Sequence, residues 1–184
     1  MPLANHNLPE TEMPITLGTT ALPVFTTALT NLGHLLDKAQ ANAEARKFNP
    51  DVFCGLRFAP DMLPFTAQIR IACDAAKNGT ARLAGIEAPK FEDNETTFAE
   101  LRERVAKTLA WLATVRPEQI DGREAVEITF PVGRDATRTM SGQAYLLHWA
   151  TPNIFFHVTT AYDLLRQAGV PLGKADYLAG PNAG

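Results

Sequence analysis

Four stretches of this chain set apolar residues at steps of three, four or seven, so it must pack helix against helix. The first seam runs through Phe25, Leu29, Leu32, Leu36, Ala39 and Ala43. A helix turns once every 3.6 residues, so these side chains share one face. Asn49-Pro50 biases the backbone out of helical geometry, and the helix is expected to end near Arg46. The second seam is Met62, Phe65, Ile69, Ala72, Ala76 and Leu83, with Pro64 in its first turn and Gly85 at its end. The third opens on the capping-box pair Thr97 and Glu100 and continues through Phe98, Leu101, Val105, Leu109 and Leu112. It stops before Arg116-Pro117, and the acidic FEDNE segment ahead of it suits the positive end of a helix dipole. The fourth starts at Thr151 as cap with Pro152 in the first turn. It buries Ile154, Val158, Ala161, Leu165 and Ala168 and closes on Gly169.

Between the third and fourth seams the period changes to two. In EAVEITFPV the apolar Val126, Ile128 and Phe130 alternate with Glu127 and Thr129, as in a half-buried strand. Gly133 marks a turn, and DATRTM returns as the partner strand of a short hairpin that covers one end of the helices. A brief helical piece, GQAYLLHWA, follows. The expected fold class is all-α: a four-helix bundle with a small β-hairpin inserted before the last long helix. Residues 1–20, rich in Pro, Asn and Thr, are expected as a flexible N-terminal arm, and residues 21–184 as a single domain of ordinary size for one core.

Composition narrows the partners. The net charge of -3 comes with no Lys/Arg cluster, which excludes the basic patch that nucleic acid or an anionic membrane demands. No apolar stretch reaches bilayer-spanning length. The start of the chain lacks the basic region and apolar run of a signal peptide, and Cys54 and Cys73 form no metal or redox spacing. Both cysteines read as small buried or half-buried side chains, and the expected location is cytoplasmic.

Chemistry-bearing residues are few. No glycine-rich phosphate loop is present, and Ser141, the only serine, reads as a helix cap rather than a nucleophile. Asp37, Asp61, Asp74 and Asp163 have no inward-facing carboxylate partner at helical spacing, which argues against a carboxylate-bridged metal pair. His6 lies in the arm and is expected exposed, His34 lies on the side of its helix away from the seam and is expected solvated, and His148 lies in the short helical piece, where a structural hydrogen bond explains it at least as well as a functional role. His157 differs because it lies on the apolar face of the last helix, one turn after Asn153. By spacing alone, such a residue is either a satisfied core histidine or a functional group.

The runs MLPFTAQIRIACDAAKNGTARLAG, FEDNETTFAEL and YLLHWATPNIFFHVTTAYDLLRQAGVPLGKADYLAG resemble an uncharacterised bacterial family. That family has a domain of unknown function and is grouped with the DinB/YfiT-like four-helix-bundle superfamily. The resemblance covers nearly the whole chain after the arm. Many superfamily members bind a divalent metal through three histidines, one on the second helix and an H-x-x-x-H pair on the fourth, and some are thiol-using transferases or isomerases. Counted back from Gly169-Val170-Pro171, the resemblance sets His157 at the second position of the pair and Asn153 at the first. Gln68, in TAQIRIA, then stands for the remaining histidine.

That departure has a physical meaning. Imidazole nitrogen binds zinc, nickel or iron strongly, whereas a neutral amide oxygen is a weak donor. Gln68, Asn153 and His157 are therefore expected as a polar ligand pocket without a tightly bound metal. No cofactor is expected, and any zinc or nickel would be held weakly, through His157. Three functions stay open: a structural or interaction protein, with a homodimer as its candidate assembly and a degenerate metal site; a small-molecule binding module using the former metal pocket; or a divalent-metal-dependent, thiol-using transferase or isomerase.

Overall fold

Helix α1 (Leu17–Ala45) begins where Thr16 caps it: the Thr16 hydroxyl accepts from the Thr19 backbone N–H at 3.1 Å, and the Thr19 hydroxyl accepts from the Thr16 N–H at 2.8 Å. The computed structural model describes residues 15–183. Most of the expected arm, with His6, lies outside the described residues, and α1 starts before residue 20 because this local cap is available. All six seam residues of α1 are completely buried. The helix ends at Ala45, as Asn49-Pro50 requires.

Helix α2 (Phe65–Ala84) starts one turn later than Met62 implied, with Pro64 at the cap position rather than inside the first turn. It stops at Gly85, whose φ of 69° is the left-handed conformation that glycine adopts without steric cost. Helix α3 (Phe98–Leu112) has the expected capping box, with the Thr97 N–H donating to Glu100 Oε2 at 2.8 Å.

Strands β1 (Glu127–Val132) and β2 (Ala136–Ser141) pair antiparallel, with Ile128 opposite Met140 and Phe130 opposite Arg138. Ile128 and Phe130 point inward and are buried. Phe130 packs edge-on against Tyr145, ring centres 4.8 Å apart, and tilts against Trp149 at 5.0 Å.

The last long helix departs from expectation. Thr151 caps nothing, because the chain is already helical when it arrives there. Helix α4 (Gly142–Tyr145) is capped by Ser141, whose hydroxyl accepts from the Ala144 N–H at 3.3 Å. A π-turn over Leu146–Ala150 then leads directly into α5 (Thr151–Gln167). Pro152 explains the widening: a proline has no N–H to donate and its ring crowds the carbonyl one turn back. A turn closed at i→i−5, here from the Thr151 N–H to the Leu146 carbonyl, relieves that crowding without ending the helix.

Helices α1 and α2 each lie against both α3 and α5, so the four close into a bundle around one core. The hairpin packs where α2 ends and α4 begins, with the Arg82 guanidinium 5.6 Å from the Phe130 ring. A short helix α6 (Lys174–Ala179), unmarked by any seam, ties the tail back to α1. Asn31 donates through Nδ2 to the Tyr177 and Leu178 carbonyls at 2.9 and 3.0 Å, and Gly180 passes so close to Asn31 that a Cβ would collide with it. Among the described residues no helix is long and apolar enough to cross a membrane.

Removing the Phe130 ring tests whether the hairpin is part of the core. Phe130→Ala is expected to cost about 3–5 kcal/mol of stability in urea unfolding, the range for a buried aromatic. A loss under about 1 kcal/mol would mean that the hairpin is only loosely docked.

Candidate functional site

Gln68 lies in the first two turns of α2, facing α5, and is 2% exposed. Its amide nitrogen donates to the Leu63 carbonyl at 3.1 Å, in the segment leading into the helix. A carbonyl can only accept, so this contact fixes the amide with Oε1 turned the other way. Oε1 meets His157 Nδ1 at 2.7 Å. The Gln68 oxygen also only accepts, and the imidazole must therefore carry its proton on Nδ1 and donate. The tautomer is set by a backbone carbonyl two contacts away, and among the described residues the Nε2 lone pair meets no donor.

His157 is 9% exposed, with its ring edge-on to Phe156 at 5.1 Å. Burial disfavours the imidazolium and pushes the pKa down to about 4, so the ring is neutral at physiological pH. Asn153 is not brought into this contact. It sits half-buried one turn earlier on α5, where it lines a cleft with Asn78, Arg82 and Trp149, and it makes no hydrogen bond to Gln68 or His157. Two of the three residues expected together therefore meet, and the third looks elsewhere.

These side chains do not fit a tightly held transition metal. One imidazole nitrogen and the Gln68 amide oxygen beside it are already bonded to each other, and a neutral amide is a poor ligand. Among the described residues no group of three or more His, Cys, Asp or Glu is placed to hold a metal ion. Both thiols are buried and reluctant to ionise: burial pushes Cys54 up to about 11 and Cys73 up to about 12.

Two histidines differ from expectation. His34 is not a freely solvated side chain, because α6 returns over it and brings Asp176 to 3.1 Å from Nε2. Burial works to raise the Asp176 carboxyl pKa, but hydrogen bonds from Lys38, the Gly173 N–H and His34 outweigh it and hold the group near 2. His148 is exposed and makes no side-chain hydrogen bond among the described residues.

Sequence reasoning also missed the ion network around Arg104. This side chain, 2% exposed, reaches Asp74 at 2.9 Å, Glu95 at 2.8 Å, Asp93 at 3.2 Å and the Glu92 carbonyl at 2.9 Å. Asp74 also receives Lys77 at 2.9 Å, so this half-buried carboxylate is shared by two buried cations rather than left to solvent. The signal was present in the spacing: Arg104 falls three residues after Leu101 and four before the buried Thr108, inside the apolar stripe of α3.

The depressed His157 pKa gives a pH dependence with a definite sign. The unfolded histidine titrates near 6.5 and the folded one near 4, so acid favours the unfolded chain. Stability from this site is complete above about pH 6.5 and declines as pH falls toward 4, by up to about 3 kcal/mol. Urea unfolding midpoints measured across that window should fall in the native protein and flatten in His157→Gln; equal slopes in the two would show that His157 is not the titrating group.

Residues 17–178 match the family described as a domain of unknown function, DUF1993. The crystal structure of a DinB family member protein from Shewanella denitrificans superposes with a TM-score of 0.79 at 40% identity, covering 88% of this chain and 93% of that one. No curated protein matches the chain. With the bundle, the inserted hairpin and a match spanning nearly all of the described residues, the chain belongs to the DUF1993 family and has a DinB-like helical-bundle fold.

Proposed function

We propose that this chain is a non-catalytic structural or interaction protein of the DinB-like kind, in which a degenerate metal position has become a structural pin between α2 and α5. The observation that carries this reading is the buried 2.7 Å hydrogen bond from His157 to Gln68, with the Gln68 amide held in turn by the Leu63 carbonyl. Gln68 Nε2, Gln68 Oε1 and His157 Nδ1 are each committed to another protein group. A neutral imidazole with a pKa near 4 is also a weak general base at pH 7, which supports a structural role over a catalytic one.

Metal analysis of protein purified without a histidine tag tests the reading. Zinc and nickel are expected at far below one equivalent, and chelation is expected to leave the melting temperature unchanged. The double variant Gln68→His with Asn153→His restores imidazoles at both positions and is expected to gain zinc binding. Stoichiometric metal in the native protein would overturn the proposal, and a double variant with no zinc affinity would overturn its claim of a former metal site.

The interaction role draws support from a cleft of ≈ 320 Å³ between α1, α5 and the tail, lined by Pro23, Val24, Phe155, Val158 and Leu178. Phe155 and Leu178 leave 41% and 59% of their surface exposed there, an apolar patch that suits a second copy of the chain. A homodimer is expected in sedimentation velocity, shifting to monomer in Phe155→Ser and Leu178→Glu. A monomeric native protein would remove this part of the reading.

A further inference from the structure

The cleft that Asn153 does line holds a set of groups with no role in the Gln68–His157 contact. It has a volume of ≈ 210 Å³ and lies between α2, the π-turn and the tip of the hairpin. Arg82 forms part of its wall. The Arg82 Nη1 donates to the Tyr145 hydroxyl at 3.0 Å, and the guanidinium lies over the Phe130 ring. Among the described residues no carboxylate pairs with Arg82, so a half-buried, positioned cation stands at the cleft with its charge uncompensated.

The remaining lining is specific in its chemistry. Asn78 precedes Arg82 by one helical turn on α2, and Asn153 enters from α5. Neither side-chain amide has a protein hydrogen-bond partner among the described residues, and each offers a donor and an acceptor. Trp149, presented by the π-turn, adds an aromatic wall, with Ile71, Ala75 and Ala150 as apolar floor. Asp74 stands two turns from Arg82 along α2, with its carboxylate held by Lys77 and Arg104, both at 2.9 Å. Placing that carboxylate at the same cleft disfavours a dianion such as phosphate, while a single planar guanidinium suits a carboxylate.

We infer that this cleft binds a small monocarboxylic acid carrying an amide, of the N-acylated amino-acid class. Its carboxylate sits on Arg82 and its amide is read by Asn78 and Asn153. The site is separate from the Gln68–His157 pin and stands whether or not that pin descends from a metal site.

The test uses the full-length protein labelled with nitrogen-15 and N-acetylglycine as probe. The chain has two tryptophans, and Trp111 on α3 serves as internal control. The Trp149 indole resonance is expected to shift saturably with N-acetylglycine while Trp111 stays still. The neutral N-acetylglycinamide should bind at least about tenfold more weakly, as should N-acetylglycine with Arg82→Gln. Tyr145→Phe, which keeps the guanidinium but frees it from its anchor, should weaken binding several-fold, and it stands in for Arg82→Gln if that variant does not fold. No saturable shift at Trp149 would overturn the inference. So would equal binding of the neutral amide, or a shift indifferent to both substitutions. Sodium phosphate binding more tightly than N-acetylglycine would overturn the carboxylate assignment.

Discussion

Helix α1 cannot be covered from one side, and the rest of the bundle is arranged to meet that demand. Its six seam residues are fully buried, and Leu22 and Leu35, on flanking positions, are buried as well. Each leucine or phenylalanine removed from water contributes about 1.5–3 kcal/mol, so leaving one flank open would forfeit much of the fold's driving force. Helices α3 and α5 take the two flanks, and α2 lies across from α1 against both of them. Hydrophobic burial alone, however, tolerates a helix sliding along its neighbour, because one leucine packs much like the next.

Buried polar groups remove that freedom. Asn31 holds the tail by two carbonyls, the Gln68–His157 contact fixes α2 against α5, and Arg104 gathers the segment before α3. Three cations, Lys77, Arg104 and Lys107, surround the Phe91 ring at 4.5, 5.2 and 4.5 Å, which settles that segment further. Each buried donor or acceptor that lost its partner would cost about 1–3 kcal/mol, so sliding a helix out of the register that makes these contacts is costly.

The bundle was legible because helical seams, capping boxes and proline boundaries are local signals. Thr97 with Glu100 and Asn49-Pro50 act within a few residues of themselves, and the structure follows them. Long-range polar pairing carries no such signal. The stripe of α3 marks Arg104 as inward-facing, but nothing around Asp74 names it as the partner, thirty residues on, and nothing near His34 announces Asp176. The meeting of Gln68 and His157 follows from the antiparallel packing of α2 and α5, which also turns Asn153 toward Asn78 and Arg82. The absence of a break at Thr151 was illegible for a different reason: a proline stops a helix or widens it, and the choice depends on whether the preceding turn is already anchored, as Ser141 and the hairpin anchor this one.

That widened turn has a consequence for how the two ends of the helix are phased. A π-turn accommodates one residue more than a regular turn, and one residue in an α-helix is worth about 100° of rotation. Tyr145 before it faces Phe130 and Arg82, while His157 after it faces Gln68. Deleting one residue between Leu146 and Ala150 would restore an even pitch and rotate one of these faces away from its partners. The extra residue acts as a phase shifter, letting one continuous helix serve the hairpin at its start and the bundle core along the rest of its length.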